Sequence, residues 1–152
     1  MTTPASALPI KGGWLIALLT AVAALGQFAS SAYLPSMPAM EDGLGASASM
    51  VQLTMTAYLA AFALMQLVYG PLSDRFGRRA IMLTGGVLFI VGSLLCMVAG
   101  SIEAVIVGRA VQAIGACAGA VASRAVVRDL FEGPELTRVM AAIAMAFSAV
   151  PA

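Results

Sequence analysis

"YGPLSDRFGRRA", residues 69–80, is a charged island in a chain almost free of charge. No Asp, Glu, Lys or Arg occurs from Gly43 to Ser73 or from Ala80 to Ile102, yet Asp74, Arg75, Arg78 and Arg79 fall within six residues, with Gly70 and Gly77 beside them. The long uncharged flanks set the fold class. Of 152 residues, 61% are hydrophobic and 10% charged, with mean hydropathy +0.99. A water-soluble domain carries roughly 25% charged residues, because its surface faces water. Here the apolar residues come as runs rather than stripes, and runs of about 20 are what a helix needs to cross the hydrocarbon core. The expected class is all-α, a polytopic transmembrane helix bundle in a lipid bilayer.

The same composition excludes other classes. Net charge is +1, which provides no basic field for nucleic acid. Histidine, the commonest acid/base catalyst and metal ligand, is absent. Cys96 and Cys117 sit in apolar runs without a CxxC spacing, as small buried hydrophobes do. No nucleophile–base or metal constellation points to an enzyme, a metal or a cofactor. The apolar run from Trp14 to about Leu34 exceeds a signal-peptide core and closes on Tyr33-Leu34-Pro35, not on a small-residue cleavage site.

Four spans follow, at about 13 to 34, 48 to 70, 80 to 100 and 104 to 127. Pro35 and Pro38 stop the first, and Gly70-Pro71 is expected to end the second. A short turn at Ser101 to Glu103 joins the third to the fourth, and "RDLFEGPELTR" (128–138) follows with Gly133-Pro134 as its breaker. A fifth apolar run, Val139 to Ala152, is shorter than a span, so the chain reads as four complete helices and part of a fifth, truncated there. Residues 1–12 form the expected amino-terminal tail and 13–152 the bundle. Lys11, the arginines of the island, Arg128 and Arg138 all fall on one side, and Glu41, Asp42 and Glu103 on the other. By the excess of Lys and Arg in cytoplasmic loops, the amino terminus is cytoplasmic.

That bias accounts for three arginines of the island, but not for Asp74 or the glycines. Gly70 suits close backbone approach at a helix end, and Gly77 the positive φ of a tight reversal. Asp74, an acid on the basic side, wants a cationic partner such as Arg78 or a neighbouring helix N-terminus. A cluster of this kind can latch helix ends in one arrangement and release them in another. "GPLSDRFGRRA" resembles the loop signature of the major facilitator superfamily. "VIVGRAVQAIGACAGAVASRAVVRDLF" (105–131) is similar to the fourth helix of the drug:proton antiporters, as are "YLPSMPAM" and "VQLTMTAYLAAFALMQLVYGPLSDR" to their first loop and second helix, most nearly in the Bcr/CflA group.

The resemblance implies a twelve-helix transporter of two six-helix halves, of which this chain supplies the amino-terminal portion. It implies proton-coupled multidrug efflux across the cell inner membrane by alternating access, with protons and a small lipophilic compound as partners and the rest of the transporter missing here. It also implies that Asp129 meets Arg78, making Gly70, Asp74, Arg75, Gly77, Arg78, Arg79 and Asp129 the candidate cytoplasmic latch. Two departures stand out. Ser31 occupies the place before "YLP" where the group usually has an acid, and Ala113 follows Gln112 where a glycine is usual.

Arg109 and Gln112 are three residues apart and share a helix face. Read from the residues alone, Arg109 either points into a polar interior or snorkels about 7 Å to the outer interface; the resemblance associates it with proton coupling. Gly115, Gly119 and Ser123 at i, i+4 spacing suit close helix packing. Gln27, Ser31, Tyr58 and Gln66 are candidates to line a substrate cavity, or else simply hydrogen-bond between helices. Two other functional readings stand beside efflux: a transport-inactive fragment or gene remnant, and a superfamily transporter of a metabolite rather than a drug.

Overall fold

The structure, a computed structural model, describes residues 11–149. The elements are α1 (Lys11–Tyr33), a 3-10 turn (Leu34–Ser36), α2 (Met37–Leu44), α3 (Ala48–Phe76), α4 (Arg78–Met97), α5 (Ile102–Leu130) and α6 (Gly133–Ala149), with no strand among the described residues. The fold is an all-α bundle, and four helical stretches are long and apolar enough to cross a membrane: Gly13–Leu44, Ala48–Phe76, Arg78–Met97 and Ile102–Leu130. The expected tail at 1–12 lies outside the described residues except for Lys11 and Gly12.

Several boundaries differ from expectation. Gly70-Pro71 does not end the second span; α3 runs through it to Phe76. A proline inside a helix removes one bond, here to the Leu67 carbonyl, and membrane helices tolerate such breaks. The turn beyond is closed by the Gly77 N–H on the Ser73 carbonyl (3.1 Å) and by Arg78 on Ser73 and Asp74. Gly70 therefore sits within a helix, with no atom near its missing Cβ, and serves no close approach. The first connection is helical too, because Pro35 and Pro38 fall in the first turns of the 3-10 segment and α2, where a missing N–H costs nothing. Gly45, at φ 58°, ends α2. Likewise Gly133-Pro134 opens α6 rather than breaking a loop, leaving Phe131 and Glu132 between α5 and α6.

Size is distributed in the reverse of a soluble core. Ala113, Cys117, Ala118, Ala120 and Ala122 of α5 are fully buried, whereas Leu67, Leu83 and Trp14 are exposed, as suits a bundle whose outside meets lipid. α5 occupies the middle, packed along α4 and α3 and more briefly on α1. Small residues set these distances. A Cβ on Gly92 of α4 would sit 2.6 Å from the Gln112 Cα, and one on Gly115 2.8 Å from the Phe89 Cα. Gly119 instead faces Val22 of α1, so the expected small-residue stripe serves two partner helices.

Candidate functional site

Arg109 lies deeper than the sequence boundaries implied. α5 begins at Ile102, capped by Ser101 Oγ accepting from the Ala104 N–H (3.3 Å), so Arg109 is seven positions in (109 − 102). That is roughly 10 Å of rise. At 2% exposure its side chain does not snorkel; it is held inside the bundle.

Three helices hold it. The guanidinium carbon is 4.2 Å from the ring centroids of both Tyr33 (α1) and Tyr58 (α3). One terminal N–H donates to Gln112 Oε1 at 2.6 Å and, at a longer 3.5 Å, to the Ala29 carbonyl; the other meets Met55 Sδ at 3.6 Å. The rings are themselves fixed. Tyr58 donates to the Gly26 carbonyl (2.8 Å), and the hydroxyls of Tyr33 and Thr54 pair at 2.6 Å. Gln112 Nε2 donates to Ser93 Oγ (2.8 Å), which ties the site to α4.

None of these partners is a carboxylate, and the buried Nε–H has no hydrogen-bond partner among the described residues. An arginine at membrane depth costs about 2.5–3.5 kcal/mol on insertion scales. Desolvated cation–π contacts contribute about 2 kcal/mol each, and a hydrogen bond from a charged donor about 1.5–3 kcal/mol. The two rings and Gln112 together more than offset that cost, so Arg109 keeps its charge with no carboxylate partner among the described residues.

Beside this cluster, between α1, α4 and α5, opens a recess of about 520 Å³. Tyr33, Ser93, Arg109 and Gln112 supply its polar wall, and Phe28 and Phe89 belong to its apolar one. The expected cavity residues are not assembled here. Tyr58 underlies Arg109, Gln27 and Ser31 are half-buried away from the recess wall, and Gln66 is exposed on α3. Helix rotation separates them. Tyr33, Thr54 and Ser93 were the participants missed; a buried cation calls for aromatic rings and acceptors at its own depth, and "SAYLP" supplied one.

At the opposite end, the charged island closes on itself. Arg78 donates from one terminal nitrogen to Asp74 Oδ1 (2.6 Å) and Ser73 Oγ (2.9 Å), and from Nε to Asp129 Oδ2 (3.0 Å) at the end of α5. Gly77 supplies the reversal at φ 87°, a backbone conformation other residues rarely adopt. Arg75 and Arg79 are exposed beside it. The Asp74 and Asp129 side chains are 67% and 53% exposed, so each pair is worth no more than about 1 kcal/mol. Such a cluster joins α3, α4 and α5 and breaks easily.

Residues 16–152 match the family described as the Major Facilitator Superfamily. The chain belongs to that superfamily. It is 40% identical to an uncharacterized MFS-type transporter YdgK of Bacillus subtilis over 134 residues, 88% of this chain and 33% of that protein. It is 40% identical to a chloramphenicol resistance protein of Pseudomonas aeruginosa (82% of this chain, 30% of that one) and 36% identical to multidrug resistance protein D of Escherichia coli (80% and 31%). The chain thus spans about a third of the length of these curated relatives. Its relatives are transporters, not enzymes.

Proposed function

We propose that this chain forms the amino-terminal bundle, residues 13–152 with a tail at 1–12, of a proton-coupled exporter of small lipophilic compounds. It works across the cell inner membrane by alternating access, with the amino terminus cytoplasmic. The observation that carries the reading is Arg109, charged and buried at membrane depth with Gln112 beside an open recess. A permanent charge there is retained against its insertion cost and biases the protonation or binding of whatever enters. The relatives named for chloramphenicol and multidrug resistance support drugs rather than metabolites as cargo.

Alternating access needs an element with two arrangements. The Arg78 cluster supplies one: breaking it frees the ends of α3, α4 and α5 at a cost of about 1–2 kcal/mol. In this reading Gly77 is the reversal that sets Arg78 between Asp74 and Asp129, while Arg75 and Arg79 hold that end in the cytoplasm.

The test is drug resistance in a pump-deficient bacterial host expressing the full native gene. Resistance that disappears with a protonophore, and with Arg109→Ala despite normal membrane insertion, is the expected result. Unchanged resistance in Arg109→Ala removes Arg109 from the mechanism, and no resistance to any lipophilic drug refutes export.

A further inference from the structure

The recess between α1, α4 and α5 has a permanent cation in its wall and no carboxylate. Among the described residues no Asp or Glu lies between Glu41, Asp42 and Glu103 at one end of the bundle and Asp74 and Asp129 at the other. A lipophilic cation in an apolar site is stabilised by an anion or by an aromatic face. The aromatic faces of Tyr33 and Tyr58 are already engaged by the guanidinium, at 4.2 Å each. What the site presents instead is the guanidinium charge of Arg109 and the amide of Gln112, set among Phe28, Phe89 and Met97.

We infer that this recess takes small lipophilic molecules that are neutral or anionic and carry an accepting oxygen (carbonyl, nitro or carboxylate), and that it excludes lipophilic cations. The inference rests on the export reading and names its substrate class. The volume of about 520 Å³ falls within the range of small-molecule sites. A cation held roughly 8 Å from the guanidinium, at an effective dielectric of about 20, is disfavoured about thirtyfold. An accepting oxygen is drawn to the same charge.

The full native gene product, purified in detergent, is tested by equilibrium dialysis. The probes are chloramphenicol, neutral with nitro and amide oxygens, and tetraphenylphosphonium, a lipophilic cation. Chloramphenicol is expected to bind about tenfold more tightly or better. Arg109→Gln brings the two affinities to within about threefold. Ala32→Asp sets a carboxylate on the recess wall, leaves Arg109 in place, and raises phosphonium affinity about tenfold; it decides the matter should Arg109→Gln not fold. Phosphonium binding as tight as chloramphenicol in the unaltered protein, or a ratio that neither substitution moves, overturns the inference. The two readings fail separately. Export of cations defeats the substrate class and leaves export standing; the expected binding ratio without drug resistance does the reverse.

Discussion

Replacing Gly92 with alanine probes the packing that holds the Arg109 cluster together. The new Cβ would lie 2.6 Å from the Gln112 Cα and nearer still to the Gln112 backbone nitrogen, against 3.4 Å for the start of ordinary contact, so α4 and α5 must part by at least about 0.8 Å (3.4 − 2.6). The atoms it meets are backbone and Cβ, which no rotamer change can clear. The same movement stretches the neighbouring Ser93–Gln112 bond from 2.8 Å to about 3.6 Å, beyond hydrogen-bond range. Overpacking costs about 1–3 kcal/mol, and the lost bond about 0.6 kcal/mol in a membrane bundle. Together they lower the melting temperature by roughly 5–10 °C for a bundle of this size. A thiol-reactive fluorogenic dye reports unfolding, because Cys117 is fully buried and Cys96 half-buried as free thiols. Gly86→Ala is the control: nothing lies near its missing Cβ, and alanine favours the helix by about 0.5–1 kcal/mol. A Gly92→Ala protein that melts with the Gly86→Ala protein refutes the close-packing argument.

Two further outcomes follow from the site. Tyr58→Leu removes both the ring from Arg109 and the bond to the Gly26 carbonyl and costs about 3 kcal/mol, whereas Tyr58→Phe keeps the ring and loses only that bond, about 1 kcal/mol; equal melting points for the two would deny the ring its electrostatic role. Arg78→Ala shifts melting by no more than about 8 °C, since its two pairs are exposed and worth at most about 2 kcal/mol together, yet cuts transport sharply if the cluster is a latch. Loss of transport in step with loss of stability would make it a brace instead.

The lipid environment, the four spans and the superfamily loop are local properties, so the sequence alone determined them. Hydropathy is summed residue by residue, and "GPLSDRFGRRA" is a contiguous motif. The partnership of Arg78 with Asp74, four residues away on the same side of the membrane, was legible for the same reason, and Asp129 came only from resemblance. Tertiary structure decided the rest. Whether Pro71 ends a helix depends on side chains that fasten the turn beyond it. Whether Arg109 snorkels or stays inside depends on Tyr33 and Tyr58, which are 76 and 51 positions away (109 − 33, 109 − 58). Gln27, Ser31 and Gln66 do not line the recess beside Arg109: polarity is visible in a sequence, whereas the direction a helix face points is not. That direction is set by how closely Gly92 and Gly115 let α4 and α5 approach, a property of pairs of helices rather than of either one.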